Sequence, residues 1–123
     1  MSYRILIIDD EEHIRRMVRL TLEAAGYKVG EAKDGLEGLS VYEDGKAWDA
    51  VILDQRMPGM DGLETLQEIK ERDPGARVIM ISSLSYQEKV EEALAAGAKC
   101  FVAKPVTTEQ LRQAIDRVFA AAV

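Results

Sequence analysis

Five short apolar runs, each followed by a segment with helical hydrophobic spacing, constrain this chain more than any other feature. Ile5-Leu6-Ile7-Ile8 is continuously apolar, as expected of a strand covered on both faces. Ile14, Met17, Val18, Leu22 and Ala25 then fall on one helical stripe, and Gly26 ends it. Residues 27 to 32 read as a second strand, and 36 to 43 as a weaker helix diluted by Gly38. Residues 50 to 54 form the third strand. Leu63, Leu66 and Ile69 mark the third helix, closed by Asp73-Pro74-Gly75. Val78-Ile79-Met80-Ile81 is the fourth strand. Tyr86, Val90, Ala93 and Leu94 give a fourth helical stripe that stops at Gly97. Cys100-Phe101-Val102-Ala103 is the fifth strand. Thr107 or Thr108 can cap a last helix carrying Leu111, Ile115 and Val118. Such alternation predicts an α/β fold, a doubly wound (βα)5 unit with a five-stranded parallel sheet and helices on both faces.

One domain spanning residues 1–123 accounts for this length, with enough mass for a real core. No apolar stretch approaches the roughly 18 residues that span a bilayer, and no signal peptide precedes the first strand. No membrane association is expected. The lone Cys100 cannot form an internal disulfide, which suits a reducing cytoplasm. The net charge of −6 argues against direct nucleic-acid binding. His13 stands without His or Cys companions, which disfavours zinc.

In a parallel sheet every strand presents its carboxyl end at one edge, and that edge is where ligands bind. The residues following the strands therefore converge. They are Asp9 and Asp10, Asp54, Ser82 and Ser83, and Lys104-Pro105; Lys33 and Asp34 after the second strand fit the set less well. Singly, each has an ordinary explanation. Asp10 can cap the first helix, with Glu11 and Glu12 favouring its positive end; Ser82 can be a cap and Lys104 a solvated lysine. Together, complementary charge arrives at four of five strand ends. Two carboxylates about 4 Å apart repel by about 4 kcal/mol at an effective dielectric near 20. Three such groups either raise a pKa or bind a cation. Hard oxygen ligands favour Mg²⁺, which takes one or two carboxylates and bridges to a phosphate. A lysine and a hydroxyl supply donors for phosphoryl oxygens, and an aspartate beside a divalent ion can attack phosphorus. The set reads as phosphoryl transfer onto a carboxylate.

These residues resemble the receiver domain of two-component response regulators, in particular its chemotaxis-regulator-like members. The resemblance rests on Ile8-Asp9-Asp10-Glu11, Leu53-Asp54, Met57-Pro58-Gly59-Met60-Asp61-Gly62, Ile81-Ser82-Ser83, Gly97-Ala98-Lys99 and Lys104-Pro105, in that order along the whole chain. It implies a flavodoxin-like strand order of 2-1-3-4-5. It implies that Asp54 accepts a phosphoryl group from a sensor histidine kinase or phosphotransfer protein. Asp9, Asp10, Asp54 and the backbone carbonyl of Arg56 would hold Mg²⁺, with Ser82 and Lys104 on the phosphoryl oxygens. It also implies a cis Lys104–Pro105 bond. Ser82 and Phe101 would act as switch residues, repacking the face formed by the fourth helix, fifth strand and fifth helix for a downstream effector domain or protein. A homodimer on phosphorylation is left open. Such a domain is a cytoplasmic signalling phosphoacceptor that assists its own phosphorylation and dephosphorylation, not an enzyme acting on other molecules. Arg56 and Leu84 depart from the common pattern and imply slow autodephosphorylation. Cys100 stands where the pattern often has an acid, which argues against the winged-helix transcription factor group.

Two other readings compete. An enzyme on the same architecture is one; however, no Gly-x-Gly-x-x-Gly is present for a dinucleotide or flavin. A haloacid-type phosphatase would need an acid where Arg56 stands. The other is a phosphate-independent pseudo-receiver, disfavoured because Asp9, Asp10, Asp54, Ser82 and Lys104 are all present.

Overall fold

The structure is a computed structural model that describes residues 3–45, 47–82 and 87–120, with 87–90 as backbone only. Five strands alternate with five helices: β1 (Arg4–Ile8), α1 (Glu12–Ala24), β2 (Lys28–Ala32), α2 (Gly35–Tyr42), β3 (Ala50–Asp54), α3 (Gly62–Arg72), β4 (Val78–Ser82), α4 (Gln87–Ala95), β5 (Cys100–Ala103) and α5 (Thr108–Ala120). All strand pairs are parallel and the order is β2-β1-β3-β4-β5.

The continuous apolar runs are buried on both sides because strand side chains alternate between faces. Ile5, Ile7, Ile52, Ile79 and Ile81 pack with Val18 and Leu22 of α1 and with Leu111, Ile115 and Val118 of α5. Leu6, Ile8, Val51, Leu53 and Met80 face the other way, against Leu39, Leu66 and Ile69 of α2 and α3 and Ala93 of α4. The two half-cores fix the sheet from both sides and set the heights at which its strands end.

Local signals place the helix starts. Asp34 accepts from the Glu37 amide (2.8 Å) and Asp61 from the Glu64 amide (2.9 Å), each capping a helix. Thr107 Oγ1 accepts from the Gln110 amide (3.1 Å) while Gln110 Oε1 accepts from the Thr107 amide (3.3 Å), a reciprocal cap for α5. Gly26, at φ +95°, follows the α1 C-cap residue Ala25 in a conformation that side chains resist. One expectation changes: Ala93 is buried but Leu94 is 46% exposed, so α4 meets the sheet through alanine and not through its leucine. Tyr86 and the Val90 side chain lie outside the described residues. Cys100 is a small buried core residue. No helix among the described residues is long and apolar enough to cross a membrane.

Gly62 ties β3 to α3. Its amide donates to the Gln55 carbonyl (2.9 Å), and a Cβ there would lie 2.3 Å from the Asp54 carbonyl oxygen and 2.6 Å from the Gln55 Cα. Both obstacles are backbone and cannot swing aside. Gly62→Ala is therefore expected to lower the unfolding free energy by about 1–3 kcal/mol, seen as a lower urea midpoint at unchanged slope. Gly75→Ala, whose methyl would meet only Asp73 Oδ1 at 3.6 Å, is expected to change stability by less than about 0.5 kcal/mol. Equal midpoints for the two variants would contradict the close fit at Gly62.

Candidate functional site

β1 and β3 are neighbours, with Ile8 opposite Leu53, so Asp9 and Asp54 leave adjacent strands at the same height. Both side chains are 1% exposed. Backbone bonds hold each chain at the rim. The Asp9 amide donates to the Ala32 carbonyl (3.1 Å), and the Gln55 amide donates to the Ile81 carbonyl (2.8 Å). Arg15 of α1 reaches back to donate to the Asp9 carbonyl at 2.6 Å. Asp9 Oδ1 accepts the Glu11 amide at 2.9 Å. The N-cap position of α1 is Glu11, whose side chain makes no cap bond, so Asp10 is not the cap of this helix.

Carboxylate oxygens of Asp9, Asp10, Glu11 and Asp54 all lie within 4.8 Å of one another. Asp10 is exposed and Glu11 partly so, giving the cluster a buried floor and a wet side. Asp9 Oδ2 and both Asp54 oxygens accept no well-aligned hydrogen bond. Buried carboxylates without donors are costly unless a cation or proton joins them. Burial pushes Asp54 up to about 7; the neighbouring Asp9 charge adds to this, while Lys104 and the Arg56 amide partly offset it. Burial likewise raises Asp9. An all-oxygen donor set of this kind fits a hard divalent cation.

Lys104 comes from the far side, after β5. Its amide donates to the Ser82 carbonyl (2.8 Å), which brings the ends of β4 and β5 together. Its Nζ donates to Glu11 Oε1 at 3.1 Å and lies 3.2 Å from Asp54 Oδ1. Burial lowers the pKa of this amine, but the charges of Asp54 and Glu11 more than reverse that and raise it. The Lys104–Pro105 bond is cis, as the resemblance implies. Ser82 is buried one residue beyond Ile81, the register partner of Asp54. Arg56 is exposed and, with Asp10, Glu11, Met57, Pro58 and Lys104, lines an open groove of about 460 Å³ over the carboxylates. Phe101 stands apart from this rim. It is half-buried on β5 and lines a second groove with Gln110, Gln113 and Arg117 of α5. Ser83 and Leu84 lie outside the described residues.

The family profile of the response regulator receiver domain matches residues 5–116. The chain belongs to the response regulator receiver family. It is 39% identical over 119 residues to the chemotaxis protein CheY of Thermotoga maritima, covering 96% of this chain and 98% of that one. It is 32% identical to the sporulation initiation phosphotransferase F of Bacillus subtilis, over 95% and 94% of the two chains. Its fold superposes on the CheX-CheY-BeF3-Mg²⁺ complex of Borrelia burgdorferi with TM-score 0.91 at 35% identity, covering 95% of this chain and 89% of that one. The matched residues include the acidic cluster that the structure gathers at the sheet edge. Glu11 is the residue whose role the sequence understated. As a residue in the first turn it is explained by the helix dipole alone, yet in the structure it holds Lys104.

The raised pKa values have a consequence for stability. Between pH 3.8, the ordinary value, and about 7, folded Asp54 keeps a proton that the unfolded chain has lost. Stability in the absence of divalent ions should therefore fall as pH rises through that window, and Asp9 adds to the same trend. Asp54→Asn is expected to stabilise the metal-free protein by on the order of 1–3 kcal/mol at pH 7 and far less at pH 4. Urea denaturation in a chelator at the two pH values measures this. An equal effect at both would contradict the assignment of strain to the ionised carboxylate.

Proposed function

We propose that Asp54 is the phosphoacceptor of this receiver domain, and that residues 1–123 act as one cytoplasmic module loaded by a sensor histidine kinase or phosphotransfer protein. A single observation carries the reading: a buried aspartate with both oxygens lacking aligned donors, beside Asp9, Asp10 and Lys104 under an open groove. One Asp54 oxygen attacks phosphorus, an O–P bond forms, and the bond to the leaving group breaks with its electron pair staying on that group. Asp9, Asp10, Asp54 and the Arg56 carbonyl are the residues that would hold Mg²⁺. When bound, that ion neutralises the carboxylates and the charge spread over the phosphoryl oxygens.

Lys104 supplies an ammonium to one equatorial oxygen and Ser82 a hydroxyl to another. The burial of Asp54 excludes water from the floor of the site, which protects the acyl phosphate once formed. Withdrawal of Ser82 and Lys104 toward the phosphoryl group pulls on the ends of β4 and β5, which the Lys104 amide and the Ser82 carbonyl join. Phe101 on β5 is placed to transmit that pull to the α4–β5–α5 face. A downstream effector or a second copy would read that face. The same machinery governs autodephosphorylation, and Arg56 over the groove favours a long-lived phosphorylated state by covering the phosphoryl group.

Incubation with acetyl phosphate and Mg²⁺, followed by intact mass measurement, is expected to add one phosphoryl group, with no gain for Asp54→Asn or in a chelator. No gain for the parent chain under any condition would leave a phosphate-independent interaction module instead. For the lifetime, the purified phosphorylated protein is followed at neutral pH after the donor is removed. Persistence for many minutes is expected, and an Arg56→Ala variant should lose the group faster. Loss from the parent within seconds would overturn the shielding role of Arg56.

A further inference from the structure

Glu11 is the one acidic side chain of the cluster that holds Lys104 by a hydrogen bond. Lys104 Nζ sits at nearly equal distances from Glu11 Oε1 (3.1 Å) and Asp54 Oδ1 (3.2 Å). Only the Glu11 contact is aligned as a hydrogen bond; Asp54 keeps two oxygens without an aligned donor. A charge-assisted hydrogen bond stabilises the lone pair it occupies, so a nucleophile held that way is a weaker one. Glu11 makes no cap bond to its own helix; Oε1 meets Lys104 while Oε2 lies 3.5 Å from His13 Nε2. The Glu11 amide is fixed to Asp9 Oδ1 at 2.9 Å, which sets the side chain's starting point beside the cluster.

We propose that Glu11 is a positioning residue for phosphorylation: by taking the hydrogen bond of Lys104 it keeps the ammonium close to Asp54 in charge while leaving the Asp54 oxygens unoccupied for attack on phosphorus. Without the Glu11 charge, Lys104 settles onto Asp54 and blocks the nucleophile. The inference rests on the reading of Asp54 as phosphoacceptor and adds to it the control of the lysine by a residue remote in sequence, 93 positions away.

The test compares initial phosphorylation rates with acetyl phosphate at saturating Mg²⁺, which removes differences in metal affinity. Glu11→Gln and Glu11→Ala are each expected to slow the reaction by about three- to tenfold, the size of one charge-assisted hydrogen bond in part redirected. Glu11→Asp, which keeps the charge, should recover part of the loss. In a Lys104→Gln background the Glu11→Gln change should have no further effect, because no lysine remains to be positioned. A Glu11→Gln rate equal to or above the parent's overturns the proposal. So does the same slowing with and without Lys104, which would make Glu11 a general electrostatic contributor. A parent chain that takes no phosphoryl group at all would overturn the reading of Asp54 and this proposal together, whereas normal phosphorylation of the parent with unaltered variants removes only the role of Glu11.

Discussion

Two ionisable carboxylates, Asp9 and Asp54, buried side by side, with one lysine shared between Asp54 and Glu11, are the arrangement on which the site depends. Asp9 and Asp54 are held there by the sheet, not by each other. Burial raises both pKa values, and the neighbouring Asp9 charge raises that of Asp54 further. That unfavourable interaction is what makes the rim receptive. A cation that joins the carboxylates relieves it.

Such strain persists only if the surroundings cannot relax. The strands that deliver the acids are rows of isoleucine, leucine and valine packed on both faces, so neither carboxylate can withdraw without opening a half-core. The loop after Asp54 is pinned from the other side. Met57 is buried in the α2–α3–α4 half-core, Asp61 caps α3, and Gly62 lies so close to the Asp54 carbonyl that no side chain fits. Lys104 is anchored through its amide to the end of β4. Rigidity at the base and openness at the mouth are thus separate properties, supplied by apolar strands and by a short polar loop.

Much of this was legible in the sequence because it follows from local rules. Continuous apolar runs flanked by helical spacing specify buried parallel strands, and parallel strands bring their carboxyl ends together whatever the intervening residues are. Hence Asp9, Asp10, Asp54, Ser82 and Lys104 could be assembled at one rim from strand ends alone. The cap at Thr107 was equally local. What stayed hidden depends on side-chain reach. Glu11 meets Lys104 across 93 residues of chain, and the helix dipole already explained an acid at that position. Leu94 looked like a core residue, but Ala93, one position earlier, joins the half-core and Leu94 stays 46% exposed.

The claim that one buried carboxylate is the chemical centre can be located atom by atom. The protein is phosphorylated with acetyl phosphate and Mg²⁺, reduced with borohydride to trap the acyl phosphate as homoserine, and mapped by peptide mass spectrometry. Conversion at Asp54, with Asp9 and Asp10 intact, is the predicted result. Conversion at Asp9 or Asp10, or a stable phosphate ester at Ser82, would contradict it.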